Sequence, residues 1–197
     1  MKHPLRLLVI AAVLVALPSF AASARAGLPL GGVSCGPTSA VFSQWGDNHQ
    51  YYFTSNGGFE SGSSGWTLGP GASVTEGNEP FFIHSSSDNH ALSLANGAFA
   101  ASPWVCFGSN TPHIRFMASG SGSIHVRLIA RGLLGELAIL DGGTIQVGPS
   151  WAPTPDLGTT FSQLNSALLG ANAIQVVLTA TGNVQVDDLY IDPFTQY

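Results

Sequence analysis

Short segments in which apolar and polar residues alternate recur along this chain, and they constrain its fold more than any other feature. They occupy residues 41–45, 51–55, 65–68, 72–76, 91–94, 114–118, 123–131, 137–140, 144–147, 174–181 and 184–191. Alternation with a period of two is typical of strands that bury one face. The one segment with a credible helical turn is residues 162–169, so we predict an all-β fold.

Residues that favour chain reversal separate these segments. They are Gly69-Pro70-Gly71, Asn96-Gly97, Gly120-Ser121-Gly122, Asp141-Gly142-Gly143 and Gly182-Asn183, and we predict a turn at each of them. Short connections join antiparallel strands, and two packed sheets are the usual way to bury their apolar faces. The pattern therefore predicts an antiparallel β-sandwich.

The first 26 residues have the composition of a secretory signal peptide. Lys2 and Arg6 form a basic start, residues 7–17 are an apolar run of 11 residues, and residues 22–26 contain two overlapping small-residue cleavage sites. A membrane-spanning helix needs roughly 20 apolar residues, so a membrane anchor is the weaker interpretation. We predict a signal peptide over residues 1–26 and a secreted, extracellular protein.

Downstream of the signal peptide, we expect an N-terminal arm over residues 27–50 and one β-sandwich domain over residues 51–197. This part of the chain has three arginines, no lysine and eleven acidic residues, which gives a formal charge of −8. Such a surface repels phosphate backbones and anionic lipids. We therefore expect binding neither to nucleic acid nor to membranes.

Cys35 and Cys106 are the only cysteines in the sequence. An exported chain with an even number of cysteines most simply pairs them, so we predict a disulfide that ties the arm to the body of the domain. Two buried free thiols are the alternative. Zinc is disfavoured at these positions because neither cysteine has another type of metal ligand within four positions.

Three sets of residues resemble the landmarks of the jelly-roll carbohydrate-binding modules that are attached to xylanases and related glycanases. They are Asn56-Gly57-Gly58-Phe59-Glu60 with Gly65-Trp66, Ala91-Leu92-Ser93-Leu94, and Val186-Asp187-Asp188-Leu189-Tyr190-Ile191. The resemblance covers roughly residues 51–193, and it implies a galactose-binding-like jelly roll, often with a structural calcium ion, that binds glycans through aromatic side chains. The chain is also similar to small secreted proteins of actinobacteria. It departs from the modules in its Cys35 arm and in the lack of an attached catalytic domain.

The first landmark predicts a tight corner in the backbone. Gly57 and Gly58 allow positive φ without steric cost. From that corner we expect Phe59 to point into the core and Glu60 to lie beside the backbone. Trp66 opens the next strand, and we expect it to pack in the core.

Carboxylates at the two ends of the domain indicate a calcium site. The first and last strands of a jelly roll lie side by side, so Glu60 is expected to meet Asp187 or Asp188. Converging carboxylates repel one another unless a cation or protons intervene, and calcium prefers oxygen ligands. The alternative is a set of solvated acids in which Glu60 accepts backbone hydrogen bonds. Asp88 is a weaker fourth candidate.

The sequence contains no assembled catalytic motif. Eleven acids always allow some pair of carboxylates, and no serine lies in the G-x-S-x-G pattern of a hydrolase nucleophile. The histidines after the predicted signal peptide are scattered without the spacing of a metal centre, and we interpret them as isolated. They are His49, His84, His90, His113 and His125. We therefore expect a protein that is not an enzyme.

Three tryptophans lie beside loops or prolines, where an aromatic ring can stack on a sugar. These candidate ligand-binding residues are Trp45, Trp104 and Trp151. We expect one or two of them to bind a neutral glycan, such as an extracellular or cell-wall polysaccharide. The alternative function is a secreted or cell-surface structural or protein-interaction β-sandwich, which an exposed aliphatic patch would favour.

Overall fold

A computed structural model describes most of the chain after the predicted signal peptide. The described residues are 35–106, 113–132, 135–157 and 171–192. The predicted signal peptide, at residues 1–26, and the predicted helical turn, at residues 162–169, lie outside them. Within the described ranges, no helix is long and apolar enough to cross a membrane.

The described residues form eleven strands and one short 3-10 helix. The strands are β1 (Thr38–Ser39), β2 (Tyr51–Phe53), β3 (Thr67–Leu68), β4 (Ala72–Glu76), β5 (His90–Leu94), β6 (Phe99–Ala101), β7 (Val105–Cys106), β8 (His113–Gly132), β9 (Gly135–Val147), β10 (Ala152–Pro153) and β11 (Ala171–Asp192). The 3-10 helix covers Ser43–Trp45 and ends at Gly46, which has a φ of 82°. The prediction of a strand at residues 41–45 is therefore wrong.

Strand β11 is the centre of the sheet. It pairs with β8 over nearly the whole length of both strands. Its N-terminal half also pairs with β7 and β6, and its C-terminal half with β5 and β2. The remaining strands extend these pairs, and every pairing in the described residues is antiparallel.

The two halves of β8 and β11 bury their side chains in one core. Up to Val186 in β11, the side chains that the two strands place in this core have even numbers on both sides of the strand centres. They include Ile114, Phe116, Ala118, Ile124, Val126, Leu128, Ile174, Val176, Leu178, Val184 and Val186. Because both halves of each strand turn the same face to one cluster, the sheet must fold over on itself. Its halves then pack face to face, which confirms the predicted antiparallel β-sandwich.

Glycines bend the long strands rather than ending them. The turns predicted at residues 120–122 and 182–183 are wrong, because β8 and β11 run through these positions and Gly122 pairs directly with Gly182. A Cβ on Gly122 would overlap the carbonyl oxygen of Thr181. The turn predicted at residues 141–143 is wrong as well, since it is a β-bulge in β9.

The N-terminal arm is attached to the sandwich by the predicted disulfide. Cys35 is bonded to Cys106 at the end of β7, with a Cα–Cα distance of 5.1 Å. Phe42 lies further along the arm and is buried in a second small cluster with Tyr51, Met117 and Tyr190. The described part of the arm therefore packs against the body of the domain.

Candidate functional site

The corner predicted from the first landmark lies against the last strand. Positive φ angles occur at Asn56 (52°) and Phe59 (62°), so the prediction that the two glycines between them have positive φ is wrong. A Cβ on Gly58 would lie 2.9 Å from Oδ1 of Asp188. The lack of a side chain therefore allows the corner to approach the strand closely.

The two aromatic residues of this landmark lie in the core, as predicted. Phe59 and Trp66 are buried, and their ring centroids are 4.7 Å apart. Trp66 Nε1 donates a hydrogen bond to the carbonyl oxygen of Asn56 at 3.0 Å. The corner is thus fixed both by packing and by a hydrogen bond to its backbone.

A β-bulge in β11 carries the two aspartates of the last landmark. The register with β8 shifts between Asp187 and Tyr190, and Asp188 has a φ of 51°. The extra residue changes which positions face the core, from Val186 before the bulge to Leu189 after it. It also leaves both aspartates buried, at 0% and 1% exposure.

Two acids from the loop between β4 and β5 are buried as well. Glu79 is 0% exposed and Asp88 is 7% exposed. The Glu79 backbone N–H donates to Oδ2 of Asp187 at 3.2 Å, while Oδ1 of Asp187 accepts from the Asp188 N–H at 2.9 Å. We call the four residues Glu79, Asp88, Asp187 and Asp188 the acid cluster.

The Glu79 carboxylate shapes the loop around it. It accepts hydrogen bonds from the backbone N–H groups of Phe81, at 2.5 Å, and Ile83, at 2.6 Å. Charge-assisted hydrogen bonds of this kind are stronger than neutral ones. Glu79 therefore orders the segment that carries the two exposed rings of Phe81 and Phe82.

Asp188 is the member of the acid cluster whose carboxylate is least satisfied by hydrogen bonds. Both of its carboxylate oxygens are buried and have no hydrogen-bond partner among the described residues. Three potential metal-ligand atoms, one each from His84, Asp88 and Asp188, lie within 4.8 Å of one another. His84 Nδ1 is 2.6 Å from Oδ2 of Asp88. These residues fit a bound cation, because a buried carboxylate needs a positive charge or a proton.

The pKa values of Asp187 and Asp188 also indicate carboxylates that are unfavourable to ionise without a nearby positive charge. Burial, together with repulsion from Glu79 and Asp88, raises the pKa of Asp187 to about 8, although the backbone N–H groups of Glu79 and Asp188 lower it. Burial and repulsion from Asp187, Glu79 and Asp88 raise the pKa of Asp188 to about 9. A cation in the cluster would favour the ionised form of both groups. The acid cluster therefore suits either bound protons or a metal ion.

The structure does not place Glu60 among the ligand atoms of this group. Its carboxylate accepts hydrogen bonds from the backbone N–H groups of Asn89 and His90, both at 2.8 Å, and lies 3.1 Å from His90 Nδ1. Burial by itself would raise the pKa of Glu60, but these hydrogen bonds from His90 and Asn89 lower it below its ordinary value. This arrangement corresponds to the alternative in which Glu60 accepts backbone hydrogen bonds.

A pocket of about 360 Å³ lies beside the acid cluster, and we call it the loop pocket. It is lined by Phe53, Ser55, Asn56, Gly58, Glu60, Ser61, Ser64, Gly65, His84 and Pro103. The rings of Phe53 and His84 are stacked with their centroids 3.7 Å apart. The pocket shares His84 with the group formed by His84, Asp88 and Asp188, and it touches Asp188 through Gly58. It offers one aromatic stack together with hydroxyl, amide and carboxylate groups.

The three predicted tryptophans do not line the loop pocket. Trp45 and Trp151 pack against the cluster around Phe42 and are partly buried. The ring of Trp104 is covered by the guanidinium of Arg131, 4.2 Å from its centroid. Phe53 and His84 could not be recognised as pocket residues from the sequence, because their stacking brings β2 together with the distant loop between β4 and β5.

A second pocket, of about 270 Å³, lies on the face of the sheet opposite the core. It is lined by Phe99, Ala101, Arg127, Ile129, Ile139, Gln175 and Val177. Phe99 is 39% exposed and Ile139 is 64% exposed. We call it the sheet groove; most of its lining is apolar.

Comparisons with known proteins find similarity in structure but not in sequence. No protein-family model and no curated protein matches the sequence. The enzymatically active domain of tailspike protein 4 of bacteriophage CBA120 has a TM-score of 0.53 at 13% identity, over 70% of this chain and 21% of that chain. The matched part is therefore about a fifth of the tailspike chain.

Two carbohydrate-binding modules also resemble the chain. One is a family 61 module in complex with β-1,4-galactotriose, with 14% identity and a TM-score of 0.45 over 71% of this chain and 97% of that chain. The other is a family 22 xylan-binding domain, with 14% identity and a TM-score of 0.42 over 73% and 97%. At these identities the likeness concerns the fold alone.

Proposed function

We propose that this jelly roll is a secreted, non-catalytic module that binds a neutral glycan in the loop pocket, next to a structural calcium ion. The observation that carries the proposal is the composition of the pocket. A stacked aromatic pair, Phe53 with His84, adjoins the hydroxyls of three serines, the amide of Asn56 and the carboxylate of Glu60.

These groups match the chemistry of a sugar. Apolar ring area contributes about 25 cal/mol for each Å² removed from water, and a few placed polar groups fix the orientation of the ligand. Glu60 is already held by Asn89 and His90, so its carboxylate can accept a hydroxyl hydrogen bond without further ordering. A neutral sugar also suits a chain with a formal charge of −8 after the predicted signal peptide.

The pocket lining supports binding rather than hydrolysis. Glycoside hydrolysis ordinarily uses two carboxylates on either side of the bond that is broken. Among the described residues that line the loop pocket, Glu60 alone has a carboxylate. A glycan held there would meet a single fixed acid.

The calcium ion is supported by the acid cluster. Asp188 would be the principal ligand, because both of its oxygens are buried without a partner among the described residues. Asp88 and Asp187 would supply further oxygens, and calcium accepts six to eight such ligands. Bound calcium would hold the loop after β4 against the bulge in β11, and so fix His84 in the wall of the pocket.

Binding can be tested with a pair of neighbouring serines. Ser64 lines the loop pocket, whereas the adjacent Ser63 does not, and both are exposed. We expect pull-down on insoluble xylan, cellulose or chitin to retain the protein, and calorimetry with the matching oligosaccharide to show that Ser64→Trp weakens binding about tenfold or more. Ser63→Trp should bind like the unchanged protein.

Two other outcomes would contradict glycan binding in the loop pocket. If Ser64→Trp binds normally while Trp45→Ala, Trp104→Ala or Trp151→Ala abolishes retention, the glycan site lies at the tryptophans and not in the loop pocket. If no polysaccharide is retained at all, glycan binding is rejected.

The sheet groove favours a second candidate function, a secreted structural or protein-interaction role. Its exposed apolar side chains, chiefly Phe99 and Ile139, form the kind of patch at which proteins associate. Under this alternative, Ile139→Asp would reduce self-association or partner capture. In the glycan-binding proposal, the same change leaves oligosaccharide binding unaltered.

A further inference from the structure

A group of metal-ligating side chains lies where the N-terminal arm meets β8, apart from the acid cluster. His49, His113 and Asp156 each place one ligand atom within 4.8 Å of the others. The ring centroids of the two histidines are 5.2 Å apart. The three residues come from distant parts of the sequence, and their spacing contains no metal motif.

The fold itself brings these residues together. His113 is the first residue of β8 and is 1% exposed. Asp156 follows β10, which pairs with β8, and Thr154 exchanges two hydrogen bonds with Phe116. This pairing carries the chain back along β8, where Oδ2 of Asp156 contacts Nδ1 of His113. Exposed His49 closes the group from the arm.

A network of hydrogen bonds orients His49. Its Nδ1 lies 2.7 Å from Oδ1 of Asp47, and Oδ2 of Asp47 accepts hydrogen bonds from Tyr51, at 2.7 Å, and from Arg115. Metal-binding histidines ordinarily donate one ring N–H to a carboxylate in this way, which fixes the tautomer and leaves the other nitrogen to the metal. Asp47 would thus position His49 and leave its Nε2 to bind a metal ion.

We propose that His49, His113 and Asp156 bind a divalent first-row transition metal ion, with zinc as the probe. Two imidazoles and one carboxylate suit this class of ion, whereas calcium prefers oxygen ligands alone. Three protein ligands leave a fourth position of a tetrahedral zinc ion for water or a ligand. The bound ion would join the arm to the body of the sandwich.

The test is zinc titration of untagged, chelator-treated protein by calorimetry. We expect one zinc ion per chain at this site and a loss of affinity of about tenfold or more in His49→Ala and in Asp156→Asn. His125→Ala is the matched control, because His125 is also exposed and also contacts a single carboxylate, that of Asp141 at 2.8 Å. Its affinity for zinc should equal that of the unchanged protein.

A second variant distinguishes zinc binding at this site from zinc binding at the acid cluster. His84→Ala removes the histidine next to Asp188, and it should leave zinc binding at the proposed site intact. Electron paramagnetic resonance with Cu²⁺ should show two imidazole nitrogens in the unchanged protein and one in His49→Ala.

The proposal is overturned by any of three results: no zinc binding, zinc binding that survives in both His49→Ala and Asp156→Asn, or zinc binding that is lost in His84→Ala and kept in His49→Ala. Because His49 is exposed, the fold of His49→Ala should be retained, and circular dichroism checks it.

Discussion

Asp188 combines two unfavourable features in one residue. Its backbone is in the left-handed region, with a φ of 51°, and its carboxylate is buried without a partner among the described residues. A strained backbone conformation costs on the order of 1–3 kcal/mol, and such strain gathers at ligand sites. A bound cation would compensate for the buried charge, which makes Asp188 the residue at which the calcium proposal is tested.

The effect of Asp188→Asn on the stability of the protein should depend on the calcium concentration. Asparagine tolerates positive φ and has no charge to bury, so in chelator Asp188→Asn should unfold at the same Tm as the unchanged protein or higher. In millimolar calcium, the unchanged protein should gain stability by mass action, and the variant should gain none. Differential scanning calorimetry in both buffers measures the four values.

Glu60→Gln is the control variant for this measurement. The Glu60 carboxylate contacts Asn89 and His90, so the calcium-dependent rise in Tm should persist when it is neutralised. If the rise disappears in Glu60→Gln, Glu60 belongs to the calcium site, as the sequence predicts. An unchanged rise in Asp188→Asn would contradict the proposed site itself.

The sequence predicted part of the site at the residue level. Glycine and aromatic residues in the first landmark correctly placed Phe59 and Trp66 in the core, because such corners drive the following aromatic side chains inward. The positions of Glu79 and His84 in the site were not predictable, because they depend on the loop between β4 and β5 folding back onto β11. No local pattern in the sequence records that long-range contact.

At the scale of the elements, β8 and β11 determine the architecture. Both strands are long, 20 and 22 residues, and both bend at glycines in their middle. Gly122 has a φ of 149° and Gly182 has a φ of 90°, and a Cβ on either would overlap a carbonyl oxygen of the opposite strand. The bend therefore requires two facing residues without side chains.

Alanine at Gly122 should strongly destabilise the protein. The backbone conformation is almost restricted to glycine, and the added Cβ overlaps backbone rather than a flexible side chain, so we expect a loss of about 3 kcal/mol or more in the free energy of unfolding. Gly148→Ala is the matched control, because a Cβ there meets nothing within 4 Å. It should change stability by less than about 0.5 kcal/mol. Urea denaturation measures both, and equal stabilities would refute the role of the bend.

Sequence alternation predicted these elements, but not their length. The same glycines that signal a reversal of the chain also permit a strand to bend, and local composition does not separate the two cases. What decides between them is the pairing of β8 with β11 on both sides of the bend. The strands at residues 114–118 and 123–131 were therefore predicted as two elements where the structure has one.

At the scale of the whole molecule, the arm is fixed by covalent and noncovalent links at separate places. The Cys35–Cys106 disulfide joins residues 71 positions apart. Asp47 of the arm also accepts a hydrogen bond from Arg115 of β8. The disulfide was predictable from the cysteine count, whereas the Asp47–Arg115 contact depends on the finished fold.

The interpretation of the histidines as isolated is wrong. Each of the five described histidines lies within hydrogen-bond distance of a carboxylate, in the pairs His49–Asp47, His84–Asp88, His90–Glu60, His113–Asp156 and His125–Asp141. Several of these pairs join distant parts of the sequence, so local spacing does not reveal them.

Removing the disulfide should cost much of the stability of the domain. In the chain-entropy model, a bridge that closes a loop of this size contributes about 4 kcal/mol, so the Cys35→Ala/Cys106→Ala double variant should lose roughly that amount. Urea denaturation measures the loss. Mass spectrometry of the alkylated, non-reduced protein should show no free thiols, and two alkylated cysteines would contradict the bridge.

The position of β11 in the chain also determines when the molecule can fold. Among the described residues, β11 has five partner strands, β2, β5, β6, β7 and β8, and all of them precede it in the sequence. A chain emerging from the ribosome therefore exposes five unpaired strand edges until residues 171–192 arrive. Folds dominated by such distant pairings form slowly, and open edges invite aggregation in the meantime. The sheet of this domain can therefore be completed only after residues 171–192 have been synthesised. Until then, contact between nascent chains favours aggregation through the open strand edges.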